Sequence, residues 1–197
     1  MIGKTLELIR KEVNEYIVQK IEGATDSRIA LTSFVNDSGG VAIPEDKVGL
    51  SLLNIEEEKH FKMAGLVQTV KSERNSTFIN PPVNMNLQIM FTANFNNYME
   101  SLKHISAILS CFQSKPVFDT GNTPDMDTLE TKKLIFELNT LGLEQQHYIW
   151  SMIGLRYLPS VIHKVKMLSF QERDDVQMEV PNIQVIGTDL RRKEVND

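Results

Sequence analysis

Residues 143–168, LEQQHYIWSMIGLRYLPSVIHKVKML, carry the change of period that decides the fold. Leu143, His147, Trp150, Ile153, Gly154 and Tyr157 recur at three- and four-residue spacings, which predicts one helical stripe able to lie on a sheet. Pro159 has no N–H for a continuing helix and biases Leu158 away from helical geometry, so the chain must turn there. From Ser160 the pattern alternates: Val161, Val165 and Met167 point one way and Lys164 and Lys166 the other, as a half-buried strand requires. The unit reads helix, turn, strand.

Working outward, residues 84–94 give the cleanest strand, with Met85, Leu87, Ile89, Phe91 and Ala93 on one face and Asn86, Gln88 and Thr92 on the other. Asn96 or Asn97 is placed to cap a following helix whose apolar stripe is Tyr98, Leu102, Ile105, Leu109 and Phe112. Residues 113–131, rich in Pro, Gly, Asn and Asp, read as a loop, and residues 134–141 as a strand. Gly142, with Gln145 three residues on, opens the helix of the 143–168 unit.

Toward the N-terminus, Ile2, Leu6, Ile9, Val13, Ile17 and Ile21 predict an amphipathic helix over 2–22, ended by Gly23. Residues 28–35 read as a strand followed by the turn sequence Asn36-Asp37-Ser38-Gly39-Gly40. In residues 48–57, VGLSLLNIEE, Leu50 and Leu52 alternate with Leu53 and Ile55, which predicts a central strand covered on both faces. It runs into Glu56, Glu57 and Glu58, either a solvated strand end or one side of a charged contact. Residues 59–82 show no sustained period and read as a surface arm.

At 197 residues the chain is long enough for one domain with a sizeable core. The expected division is a domain over 1–170 and a C-terminal arm over 171–197. The fold class expected is α/β in the α+β sense, a mixed, mainly antiparallel sheet with helices packed on it. No run of about 18 apolar residues offers a direct membrane insertion, and Glu7 and Glu12 interrupt what would be the core of a secretory signal. One cysteine, Cys111, excludes an internal disulfide framework and fits a reducing cytoplasm at synthesis. With 26 acidic against 21 basic residues and no long basic stripe, nucleic acid is not the expected partner.

Reaction chemistry leaves little trace. His60, His104, His147 and His163 are scattered without zinc-ligand spacing, and no phosphate loop, dinucleotide fingerprint or nucleophile elbow is present. Asp125 and Asp127 lack the glycine and distal glutamate of a calcium loop. Cys111, beside an apolar stripe with nothing placed to activate it, reads as packing. No catalytic, metal or cofactor residue is therefore assigned, although a hydrolase built on His147 or His163 and a cargo-binding module remain as alternatives.

Four segments in order carry a resemblance: SLLNIEEE at 51–58, NPPVNMNLQIMFTANF at 80–95, FQSKPVFDTGNTPD at 112–125, and the 143–168 unit. Together they resemble the cap, or tail-terminator, proteins of phage-tail-like contractile injection systems, the group that includes the anti-feeding prophage and related virulence cassettes. The resemblance covers about residues 5–170. It implies a tail-terminator-like fold and a structural role: a ring, of six subunits in that family, on the last disc of the inner tube and the last layer of sheath, distal to the baseplate. The implied partners are further copies of the chain, the inner tube protein and the sheath protein. The finished particle would be released or membrane-anchored. A baseplate or adaptor station in the same particle is the alternative.

Such a part needs interfaces rather than a nucleophile. The contact residues expected are Glu56, Glu57 and Glu58, then Lys115, Asp119 and Asp125 in the KPVF loop, and Ile183, Val185, Ile186, Arg191 and Arg192 in the tail. Trp150, Tyr157 and Pro159 are assigned to the fold.

Overall fold

The computed structural model describes residues 1–23, 27–58, 68–71, 75–79, 83–129, 131–170 and 180–181. The chain divides into two compact units, one of Met1–Lys62 with Pro82–Phe170, the other of Met63–Pro81 with Gln171–Asp197.

The first unit begins with α1 (Ile2–Lys20), whose buried residues Leu6, Ile9, Val13 and Ile17 follow the predicted stripe. The next elements are β1 (Ile29–Leu31), β2 (Lys47–Glu57), β5 (Val83–Asn94), α2 (Tyr98–Ser114), β6 (Val117–Asp119), a 3-10 turn (Pro124–Thr128), β7 (Lys133–Leu138), α3 (Leu143–Ile153) and β8 (Ser160–Phe170). The second unit contains β3 (Gln68–Lys71), β4 (Asn75–Ile79) and β9 (Val180–Pro181), a three-stranded antiparallel sheet in the order β3-β4-β9.

The main sheet runs β1-β2-β5-β8-β7-β6, with β1 parallel to β2 and every other pair antiparallel. Alternation along β5 splits its side chains between two cores. Leu87, Ile89, Phe91 and Ala93 join the residues of α1 and α2, while Met90 points to the other face with Trp150, Leu158 and Ile162. The larger core holds an aromatic cluster in which the Phe112 ring stacks 4.5 Å from Phe136, and Phe118 lies 4.6 Å from Phe136.

Six sequence readings change. The stripe of α2 is rotated: Ser101, His104, Ile108, Cys111 and Phe112 are buried, whereas Tyr98 is 62% exposed and Leu102 and Leu109 face outward. Both faces of this helix carry apolar residues; Phe112 is common to the expected and the observed stripe, and the rotation exchanges Leu102 and Leu109 for Ile108 and Cys111.

The helix of the 143–168 unit stops at Ile153, because Gly154 takes a left-handed C-cap (φ 76°) and its N–H bonds Trp150 O. Only Trp150 is buried along it, with Ile149 and Ile153 partly so, while Leu143, His147 and Tyr157 stand outside.

In β2 the register with β5 shifts between Leu52 and Asn54, a β-bulge at Leu53. Leu53 packs with the Trp150 core, and Ile55 falls opposite Leu87 instead of sharing the face of Leu53. The arm over 59–82 contains the β3–β4 hairpin, and the loop over 113–131 contains β6 and the 3-10 turn. These strands are too short for alternation to show in sequence, and cross-strand partners supply what local pattern lacks. The strand expected over 28–35 shrinks to β1, since after Leu31 the chain bends toward the turn closed by the Val35–Val41 bridge.

Candidate interaction surfaces

The sequence-predicted contact residues fall in three places. Glu56 and Glu58 lie at the end of β2, where the bulge turns them to the face of Asn86 and Gln88. Gln88 Nε2 donates to Glu56 Oε1 at 2.6 Å, and Asn86 Nδ2 donates to Glu58 Oε2 at 2.8 Å. Across β8 and β7 the row continues, with Asn86 opposite Lys166, Gln88 opposite Lys164, and Lys166 Nζ donating to Glu137 Oε1. The carboxylates thus belong to a polar ladder over four strands. Glu57 is exposed at the same strand end.

Lys115, Asp119 and Asp125 lie in the loop after α2, where α1 also takes part. Lys115 Nζ donates to Glu12 Oε2 and to Asn122 O, each at 2.8 Å, and stands 4.7 Å over the Phe118 ring. Asp119 Oδ1 accepts from the N–H of Gly121 at 2.9 Å and of Asn122 at 3.1 Å, shaping the turn. Asp125 accepts from Lys11 Nζ on α1. Ile183, Val185, Ile186, Arg191 and Arg192 lie outside the described residues.

One surface had no forerunner in the sequence reading. Where β7 ends, a groove of about 230 Å³ opens between α2 and α3. Ile105 and Leu109 form one wall, Ile149 and Trp150 the other, and Leu138 and Val161 belong to its lining. A second hollow of about 400 Å³ shares Leu109 and Leu138 and reaches Phe112, Phe136 and His163. Neither is lined by Lys, Arg, Asp or Glu among the described residues. Further exposed apolar side chains lie on the same two helices, Tyr98, Met99 and Leu102 on α2 and Leu143, Tyr148 and Met152 on α3. Apolar patches are found on protein surfaces where partners or ligands bind. The signal in the sequence was the surplus of apolar residues on α2, more than a single buried stripe uses.

The titratable groups of the interior are held neutral. Burial pushes the Cys111 thiol up to about 12, and burial lowers the His163 imidazole to about 4. His104, stacked 4.3 Å from Phe95 with Nδ1 2.8 Å from Glu100 O, is also lowered by burial. His147 is exposed on α3, whereas His163 is buried on β8. No group of three or more metal-ligating side chains occurs among the described residues. Among them, too, no helix is long and apolar enough to cross a membrane.

The chain is an α+β protein that carries an apolar groove and a polar ladder on its surface. The chain belongs to the Pvc16 N-terminal domain family, which it matches over residues 4–182. Its fold is similar to that of the sheath/tube terminator of PVC, an extracellular contractile injection system, solved in the extended state by cryo-electron microscopy. The TM-score is 0.60 at 13% identity, with 100% of this chain and 65% of that chain covered. It is similar as well to the tube-terminating cap of the anti-feeding prophage, with a TM-score of 0.61 at 12% identity over 96% of this chain and 62% of that one. The chain therefore spans less than two thirds of either structure. No curated protein matches it.

Proposed function

We propose that this chain is a structural cap that terminates the inner tube and sheath of a contractile, phage-tail-like particle. The observation that carries the reading is the family match over 4–182, with a fold shared along nearly the whole chain with two tube terminators. The physics suits it. An open tube or sheath end presents unpaired strand edges and apolar surface, and continues to add subunits until something matching that end offers no further edge. A ring of copies, six in this reading, sits on the last disc and ties tube to sheath, so that sheath contraction carries the tube forward. A closed ring uses two different patches on each subunit.

In this reading the work is done by surfaces and requires no reaction centre. The polar ladder of Glu56 and Glu58, with Glu57 beside it, faces the tube or a neighbouring subunit. Lys115, Asp119 and Asp125 hold the loop that meets the same partners. The tail, with Ile183, Val185, Ile186, Arg191 and Arg192, pairs with a sheath strand.

The test is electron microscopy of particles from a producer lacking the chain, scoring tube length and sheath at the end opposite the baseplate. Tubes of uncontrolled length, or without stable sheath, are expected. Capped particles of normal length would place the chain at another station, such as the baseplate.

A further inference from the structure

The two rims of the main sheet end alike. In the parallel β1–β2 pair, Val48 N–H donates to Arg28 O and Thr32 N–H to Leu50 O, which turns the amides and carbonyls of Ile29 and Leu31 to the outer side of β1. Ile29 is satisfied there: its N–H reaches Asn14 Oδ1 at 3.3 Å, and its carbonyl accepts from Ser27 Oγ at 3.2 Å. Leu31 has no such partner among the described residues, and its side chain is 38% exposed.

At the far rim, β6 pairs with β7 only along Lys133, Leu134 and Ile135. Phe136 N–H still reaches Pro116 O at 2.9 Å, but Pro116 has no N–H to return. Asn139 N–H donates to Ile162 O, so the alternation of an antiparallel ladder turns the N–H and C=O of Leu138 outward, past the end of β6. Among the described residues they also meet no partner, and the Leu138 side chain is 56% exposed. Beside it lies the uncharged hollow of Leu109, Phe112, Phe136 and His163.

From these two rims we infer that one copy's β1 edge docks on the open edge of β7 in the next copy, with Leu31 and Leu138 as the paired residues. Each leucine offers one donor and one acceptor, which is what a hydrogen-bonded antiparallel residue pair exchanges. The charges agree: residues 29–36, IALTSFVN, hold no charged side chain, and neither does the lining of the hollow that receives them. Leu31 fills that hollow, and α2 supplies the apolar wall. Because the donor edge and the acceptor edge lie at opposite rims of one sheet, the contact is head-to-tail and leaves each docked copy with a further edge to offer. Repetition then closes a ring or runs on. This rests on the ring proposed above and names its subunit contact.

A hydrogen-bonded antiparallel pair sets its Cα atoms about 5.5 Å apart, within disulfide reach. The test is the Leu31→Cys/Leu138→Cys double variant, oxidised both as purified chain and inside particle-producing cells, and run on non-reducing gels. A ladder of linked oligomers ending at a closed species is expected, with single variants giving no more than dimers. Absence of a ladder in both settings overturns the inference. As a second measurement, Leu138→Lys should keep the far-ultraviolet circular dichroism of the parent and lose its oligomers in native mass spectrometry; a folded variant that still assembles overturns it too. Failure of the cap reading looks different: a full ladder in particles whose tube length does not depend on the chain keeps the contact and removes the terminator.

Discussion

Lys115 Nζ lies 2.8 Å from Glu12 Oε2, joining the start of the loop after α2 to the middle of α1 across 103 residues of sequence. Both side chains are largely covered, and the ammonium also caps Asn122 O and sits over Phe118. Lys115→Met should therefore cost the isolated chain about 1–2 kcal/mol, the worth of a partly covered hydrogen bond to a charged group. Urea unfolding measures it. An unchanged midpoint would mean that the lysine contributes nothing inside its own subunit.

His163 gives acid sensitivity of known sign. Its ring lies 4.5 Å from Phe112, and burial holds its imidazole down to about 4, against an ordinary value of 6.5. Between those pH values the unfolded chain binds a proton that the folded chain does not. The contribution is whole above pH 6.5 and is lost as pH falls toward 4, roughly 3 kcal/mol in all. The gap in unfolding free energy between the parent and His163→Leu should close by that amount from pH 7 to pH 4. Parallel pH profiles for the two proteins would refute this.

Trp150 is the one buried residue of α3, with Ile149 and Ile153 packed partly buried beside it. Only 7% of it is exposed, and it packs with Met90, Leu158 and Ile162. Trp150→Ala should cost about 3–5 kcal/mol, and Trp150→Phe clearly less. Equal, small losses in denaturant titrations would show that α3 is held elsewhere.

Cys111 should behave as a core residue. With its thiol buried and pushed up to about 12, it should resist an aromatic disulfide reagent at neutral pH and react with one equivalent only after denaturation. Rapid labelling of the native chain would contradict its burial.

Truncation after Pro181 keeps the pairing of β9 with β4 while removing Ile183, Val185, Ile186, Arg191 and Arg192. On the cap reading the shortened chain stays folded and no longer attaches to sheath in co-sedimentation. Undiminished attachment would take the tail out of the sheath contact.

Long, regular patterns were legible in the sequence. β5 and β8 lie where alternation put them, Asn97 caps α2 by accepting from Met99 N–H at 3.0 Å, and Gln145 Oε1 accepts from Gly142 N–H at 3.2 Å as the spacing suggested. What failed were choices among competing apolar faces. Leu102 and Leu109 are as hydrophobic as Ile108 and Cys111, so helical spacing alone does not decide which of them accompanies Phe112 into the core. On α3 the same happened, with Leu143 counted toward the sheet yet 87% exposed. The groove was hidden for that reason: it is lined by residues that the sequence reading had spent on the core. Open rims were hidden differently, because an unpaired amide at Leu31 or Leu138 follows from where a neighbouring strand stops, which local pattern does not contain.

The bulge at Leu53 also sets how β2 answers to insertions and deletions. Because side chains alternate, one surplus residue inverts the parity of everything after it, and this surplus is what turns Asn54, Glu56 and Glu58 away from Leu87 and Ile89. Deleting Leu53 would leave a regular ladder with every remaining side chain on its present face. Adding one residue beside it without a second bulge would turn Asn54, Glu56 and Glu58 to the face of Leu87 and Ile89. The written order of this strand is thus out of phase with its folded order by one, and Leu53 is where the two are reconciled.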